Sequence, residues 1–344
     1  MRTRVLALPA AVASVCALVA CSSAGSADGP EPGNASPAPS AGSDAQPAGT
    51  TVAVPRGVGD VTGVASLGHM LALSGSEGVA FGTQEDFESG RPTVDPLDAA
   101  CGPVTAGADG TTFVVACQDQ ARLYRTDALS TPELVSLGAL RAQQAVLAES
   151  GEIFFGNATD AEVGIHHPDG TEETVSVEEP TDQLVAVPVA SGPSGIVKAW
   201  REHTTVQDLD WTNEPPREGG RLRMGLGVGT IAPGTDGLML ASDTVGKQVA
   251  VYTVGDVIRL HQTHPTDGTP WAVAWDATNE LAWVSLTDTQ VLQAFKISSG
   301  VPEPAASHPA IADAQFLTAL SDATLVAVSA TGAGVQFISE AGAD

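Results

Sequence analysis

The sequence predicts an all-β fold: seven small sheets arranged in a ring, with an N-terminal strand completing the last of them. Three observations carry this. No helical periodicity of any length runs from Thr51 onward; short β-rich runs alternate instead with Gly, Asp and Asn turns. One strand-turn-strand unit recurs seven times, its starts separated by 40 to 44 residues. Only six residues follow the last unit, too few for an outer strand, while Thr50-Thr51-Val52-Ala53-Val54 stands unused ahead of the first. A repeat of this length holding three or four strands is what one blade of a β-propeller requires. Closing the ring with strands from both chain ends removes the bare sheet edge.

In chain order, the first element is not part of the ring. Arg2 and Arg4 precede an apolar stretch of 16 residues, Val5 to Ala20. A membrane-spanning helix takes about 20 apolar residues, so residues 1–20 read as a secretory signal peptide. The stretch ends Leu18-Val19-Ala20-Cys21, which resembles the lipobox of bacterial lipoproteins. That resemblance implies that Cys21 becomes the mature N-terminus and takes lipid, palmitate included. A double chain suffices for stable anchoring at about 0.8 kcal/mol per buried CH₂. The expected location is therefore the cell membrane, lipid-anchored on its extracytoplasmic face. From Ser22 to Thr50 the chain is Ser, Ala, Gly and Pro with a few polar residues and no large apolar side chain. Residues 21–50 are accordingly expected to be a disordered tether, spanning on the order of 30 Å.

The seven units of the propeller domain, residues 51–344, follow. They begin MLALSGSEGVAFGT at Met70, FVVACQDQARLYRT at Phe113, IFFGNATDAEVGIHH at Ile153 and IVKAWREHTTVQDLD at Ile196. The others are LMLASDTVGKQVAVYT at Leu238, LAWVSLTDTQVLQAFK at Leu281 and LVAVSATGAGVQFI at Leu325. Each is an apolar run, a polar or small stretch, then an alternating apolar strand. Most are preceded by another short strand and a tight turn such as Asp109-Gly110 or Asp236-Gly237. The fourth unit departs from the pattern, because WTNEPPREGGRLRMG from Trp211 reads as a long polar loop.

Of four cysteines, Cys16 lies in the signal and Cys21 at the lipobox, leaving Cys101 and Cys117. Around a hairpin turn at Asp109-Gly110 these two fall opposite each other or one residue off. A disulfide within the second blade is expected, contributing about 3 kcal/mol.

Forty-one acidic against fifteen basic residues give a net charge of −26. Loss of the signal's two arginines makes it more negative still. Nucleic acid is excluded as a partner, since such binding needs Lys and Arg at the phosphates. No nucleophile elbow, phosphate loop or zinc-protease motif occurs, so no catalytic residue, metal site or cofactor is assigned. The glycines Gly225, Gly227 and Gly229 precede a strand and read as turn glycines. His166 and His167 are adjacent on a strand and point to opposite faces. The carboxylate pairs Asp208/Asp210 and Asp95/Asp98 read as solvated. Candidate ligand contacts remain. Trp271 and Trp275 alternate on one face of an inner strand bordering the central channel, where indole rings stack on sugars. His261 and His264 sit three apart before the sixth unit. Arg217, Arg221 and Arg223 form a basic cluster on an acidic protein.

The signal, the tether and the repeats resemble the LppL-type lipoproteins of mycobacteria and related actinobacteria. The closest stretches are LAWVSLTDTQVLQAFKISSGVP from Leu281 and SATGAGVQFI from Ser329. More broadly the blade pattern is similar to the YncE-like and surface-layer family of seven-bladed propellers. The resemblance spans residues 50–340 and is strongest in the last three blades. It implies a cell-envelope location and a propeller fold, and it transfers no catalytic residue. Together these readings favour a non-enzymatic scaffold that binds an envelope protein or glycan. The rival is a propeller enzyme of lactonase, glycan-acting or quinone-dependent oxidoreductase type, with its site at the channel mouth.

Overall fold

The computed structural model describes residues 31–43, 45–98, 100–339 and 341–342. Cys21 and the apolar stretch before it lie outside these residues. Among the described residues no helix is long and apolar enough to cross a membrane.

Each apolar run becomes a strand buried on both faces, because a neighbouring sheet lies against either side. The second strands Leu71–Leu73, Phe113–Ala116 and Val326–Val328 carry no exposed residue. Seven four-stranded antiparallel sheets result, as predicted. Blades 1 to 6 span residues 61–96, 104–136, 144–176, 183–223, 228–265 and 270–309, each folded as a consecutive meander. Blade 7 takes three strands from residues 314–338 and its outer strand from Thr50–Val52. The register Thr50↔Phe337, Thr51↔Gln336, Val52↔Val335 makes this the predicted seam.

The core is not central. Seven apolar clusters fill the gaps between adjacent blades; Phe81 of blade 1 meets Phe113 and Tyr124 of blade 2, with ring centroids 5.6 and 4.7 Å apart. The inner strands, each the first of its blade, surround the axis.

A repeated serine explains how the inner strands bend. Ser74, Ser242, Ser285 and Ser329 hold the fifth place of the second strand in blades 1, 5, 6 and 7, and all are fully buried. Opposite them the inner strands carry register shifts at Val61/Gly63, Val228/Ile231, Pro270/Val273 and Ala314/Phe316. A bulge leaves backbone groups without ladder partners, and a short hydroxyl fills the space. Thr230 N–H donates to Ser242 Oγ at 3.0 Å and Ala272 N–H to Ser285 Oγ at 3.0 Å.

The two faces of the ring differ. One carries the blade-to-blade connections and the turns between second and third strands, joined by bonds such as Thr269 N–H to Asp288 Oδ1 at 2.7 Å. The other carries the turns between first and second strands, where Thr278 Oγ1 donates to Ser321 O at 2.9 Å.

Three expectations change. Residues 31–43 and 45–50 do not hang free but form a strap along the first face. Gly33 N–H donates to Leu226 O and Asn34 N–H to Arg201 O, both at 2.8 Å. Ser40 Oγ donates to Thr287 O at 2.9 Å and accepts from Asp313 N–H at 2.7 Å, and Ala48 N–H reaches Pro309 O at 2.9 Å. Ala35 is buried in a cluster with Trp271. Composition weighs apolar area, whereas this segment is held by backbone groups on a preformed surface. Second, the polar stretch after Trp211 is a loop only as far as Pro216, since Arg217–Arg223 is the outer strand of blade 4. Third, a five-residue helix, Gln84–Glu88, is inserted in blade 1, capped by Thr83 and Asp86 and pinned by buried Phe87.

The disulfide is present: Cys101 and Cys117 are bonded, with Cα atoms 4.1 Å apart. Gly102 beside it must be glycine, since a Cβ there would lie 1.7 Å from Gln143 O.

Candidate functional site

Two concave regions stand out, the axial channel and a recess on blade 4. The channel, about 560 Å³, is walled by all seven inner strands. Many of its polar side chains bond across to the next blade. Ser66 Oγ donates to Ala319 O at 2.8 Å, and Thr105 Oγ1 to Ala145 O at 2.7 Å. The Gln183 amide donates to Ile231 O at 2.7 Å and accepts from Ile231 N–H at 2.9 Å. Thr230 Oγ1 donates to Trp271 O at 3.0 Å.

The channel's charged lining is a locked pair at the strap face. Asp182 Oδ2 accepts from the Arg201 backbone N–H at 2.7 Å, and the Arg201 guanidinium donates from Nε to Gly229 O at 2.9 Å. The guanidinium lies 5.5 Å from the Trp271 ring centroid, within cation–π range. Burial lowers the pKa of Arg201, and Asp182 opposes that shift.

Both candidate tryptophans line the channel but differ in role. Trp271, 9% exposed, is packed between Arg201 and the strap. Trp275 sits at the opposite mouth and donates from Nε1 to Thr235 Oγ1 at 3.2 Å, leaving its ring partly open. Trp283, on the next strand, is fully buried and stacks on His308 at 5.6 Å.

The histidine pair does not converge. His261 bonds to Thr253 Oγ1 at 2.6 Å, while His264 bonds to Pro265 O at 2.6 Å and packs on Phe295. Both lie on the outer strand Arg259–Pro265, far from the channel lining. His166 and His167 take separate partners, Glu172 at 3.1 Å and Glu173 at 3.5 Å. Among the described residues no three His, Cys, Asp or Glu gather as metal ligands.

The arginine cluster divides. Arg217 pairs with Asp210 at 2.7 Å, while Arg221 and Arg223 line the recess on blade 4, about 500 Å³, with Glu178, Glu179, His203 and Thr205. The Glu179 carboxylate, 5% exposed, accepts from His203 Nδ1 at 2.7 Å, from Arg221 at 3.3 Å and from Thr205 Oγ1. Burial pushes its pKa up, but Thr205, His203 and Arg221 outweigh that and hold it below the usual value. Beneath it Lys198, 1% exposed, donates from Nζ to Glu179 O at 2.7 Å and Pro180 O at 3.1 Å. Burial pushes this amine down to about 8, with Glu179 opposing. Sequence reading missed His203, Glu179 and Lys198, for no spacing ties them together.

The acidic pairs are not simply solvated. Asp208 is buried and accepts from Ile258 N–H at 2.8 Å, and burial raises its pKa. Asp95 accepts from Tyr124 OH at 2.7 Å and Arg122 at 3.2 Å.

No family model and no curated protein matches this chain. The likeness to LppL-type and YncE-like proteins rests on the sequence patterns alone. Solved structures do match. A chain of the mitotic checkpoint complex aligns at 13% identity with a TM-score of 0.65, covering 88% of this chain and 96% of that one. A streptogramin B lyase aligns at 10% identity and 0.63, covering 84% and 96%. Virginiamycin B lyase from Staphylococcus aureus aligns at 10% and 0.62, covering 84% and 98%. At such identities the likeness establishes architecture, and the chain is a seven-bladed β-propeller.

Proposed function

We propose that this chain is a cell-envelope lipoprotein, anchored through Cys21 to the outer face of the membrane, whose propeller binds a protein or glycan partner without catalysing a reaction. The observation that carries the binding reading is the state of the channel. Many of its hydroxyls and amides are engaged between blades and Asp182 is bonded to Arg201, so the lining suits stacking better than proton transfer. Trp275, with its ring partly open at a mouth, supplies a stacking surface for a sugar or an apolar side chain.

A second reading, a propeller enzyme, draws on a different place. The structural neighbours include streptogramin B lyase, and the blade 4 recess holds His203 against a buried carboxylate at 2.7 Å above a lysine with a depressed pKa. A carboxylate that orients a histidine is a recurring acid–base arrangement.

The test uses the full-length protein in bacterial membranes. Metabolic labelling with an alkynyl fatty acid is expected to tag the wild type and not Cys21→Ala. Detergent-solubilised protein is then titrated with envelope glycan fragments, and Trp275→Ala is expected to weaken binding about tenfold, the loss of one stacked ring. Turnover of a glycan or lactone that His203→Ala abolishes and Trp275→Ala spares would replace the scaffold reading with the enzymatic one.

A further inference from the structure

We infer that the recess on blade 4 is a ligand site of its own, separate from the axial channel, and that it takes a sugar acid. A single carboxylate sits on Arg223, with neighbouring hydroxyls on His203 and Glu178. Such binding requires neither the lipid anchor nor the channel, and no turnover.

Strand geometry builds the walls. Arg221 and Arg223 stand two apart on the outer strand Arg217–Arg223, so both side chains leave the same face. The register sets Arg223 opposite Thr205 and Arg221 opposite Gln207, and such partners lie about 5 Å apart at Cβ. Thr205 Oγ1 donates to the Glu179 carboxylate, so this face looks onto the connection from blade 3. His203 closes the recess from the turn between the second and third strands. The floor is braced: Lys198 Nζ holds Glu179 O at 2.7 Å and Pro180 O at 3.1 Å, and the Glu179 carboxylate accepts from His203, Thr205 and Arg221. Walls fixed in this way cost little to order when a ligand enters.

The groups left unengaged define the ligand. Arg217 pairs with Asp210 at 2.7 Å, and Arg221 with Glu178 at 2.7 Å and Glu179 at 3.3 Å. Arg223 lines the recess and, among the described residues, has no ion pair and no side-chain hydrogen bond, in a chain of net charge −26. Its planar fork matches a carboxylate through two parallel N–H···O bonds. His203 gives its Nδ1 proton to Glu179, since an ionised carboxylate only accepts. In the neutral ring Nε2 is then an acceptor, suited to a hydroxyl. Glu178, its side chain 58% exposed, turns Oε2 to Arg221 and keeps Oε1 for a second hydroxyl. One carboxylate site beside two hydroxyl acceptors is the pattern of a sugar acid.

Charge separates a carboxylate from a phosphate. Arg221 and Arg223 balance Glu178 and Glu179, and Glu218 lies close enough to Lys198 to offset it. No surplus positive charge is left for a phosphate monoester, which carries about −1.5 to −2, and Glu178 at the edge repels it. A single carboxylate needs only the fork. The recess, about 500 Å³, falls within the range of small-ligand sites.

The test titrates the full-length protein, solubilised in detergent, with D-glucuronate, D-glucose and D-glucose 6-phosphate by calorimetry. Glucuronate is expected to bind at least about tenfold more tightly than either of the others. Arg223→Gln is expected to weaken glucuronate at least about tenfold. Arg259→Gln, at another exposed arginine on the outer strand of blade 5, should leave it unchanged. Arg223 is exposed, so its replacement buries no unpaired group, and matched thermal midpoints check that the variant folds. The His203 imidazole resonance, assigned by its loss in His203→Gln, should move on adding glucuronate to the wild type and stay still in Arg223→Gln. The inference is overturned if glucuronate does not bind, if glucose binds equally or glucose 6-phosphate more tightly, or if Arg223→Gln binds glucuronate as the wild type does. Each of these results leaves the channel and the anchor untouched, because those stand on the Trp275→Ala and Cys21→Ala measurements.

Discussion

Ser242 illustrates what a single side chain contributes to the ring. Its hydroxyl accepts from Thr230 N–H across the bulge and donates to Trp271 O at 2.5 Å, so one oxygen ties two blades. Ser242→Ala leaves Thr230 N–H without its partner, while Trp271 O keeps only the bond from Thr230 Oγ1, and a loss of about 1–3 kcal/mol is expected in urea unfolding. Lys198 yields a pH signature. Its amine, depressed from 10.5 to about 8, binds fewer protons folded than unfolded across that window. Stability therefore rises with pH between about 8 and 10.5, and urea midpoints at about pH 7.5 and about pH 9.5 should show the rise. In Lys198→Met the rise should disappear. Which residues were visible beforehand follows from how each is placed. Trp271 and Trp275 lie on one inner strand and both reach the channel lining, which the strand's place in the blade made visible. The register shift between Pro270 and Val273 sends Trp271 to the cluster shared with blade 7 and Trp275 to the one shared with blade 5, a break of periodicity the sequence does not show. His203 and Glu179 stand 24 residues apart, and Lys198 lies 19 from Glu179. Only the closing of blade 4 onto the connection from blade 3 brings them together, and no local pattern encodes that. Asp208 seemed solvated because carboxylates usually are, yet a bulge between Gln207 and Leu209 turns it inward toward Ile258.

Among the elements, the second and third strands of each blade were plain in the sequence, since they are covered on both faces and must be apolar. Outer strands were not. Arg217–Arg223, Arg259–Pro265 and Glu303–Pro309 are largely exposed and accordingly polar. In the first of these Gly219 is required, because a Cβ there would lie 2.3 Å from Asp208 Oδ1. A glycine chosen for close approach looks, in composition, like a glycine chosen for a loop. The helix Gln84–Glu88 was equally hidden, as five residues are too few to show a period; its sign was Thr83 three residues before Asp86. The disulfide was legible because hairpin geometry alone fixes which residues face each other. Reducing it should lower stability by about 3 kcal/mol, with a matching shift of the urea midpoint under dithiothreitol.

For the whole molecule, the number of blades and the seam were readable because a period of 40 to 44 residues survives even where individual residues diverge. The strap was not, because small residues can dock through their backbones with almost no apolar signal; Ala35 is the one buried apolar side chain among the described residues of 31–50. Deleting residues 31–54 removes both strap and outer strand and leaves Val335–Ile338 as a bare edge. A fall of about 10 °C in thermal midpoint is expected, with concentration-dependent oligomers in light scattering. The strap also settles how the protein answers a mechanical pull on the chain ahead of the ring. Tension entering ahead of the strap arrives at Gly33 and would peel the bonds at Leu226, Arg201, Thr287, Asp313 and Pro309 roughly one after another, as a zipper opens, before reaching the outer strand of blade 7. The ring is therefore shielded by a sacrificial strip whose release lets out spare length, and the last thing to yield is the seam that keeps the blades in a circle.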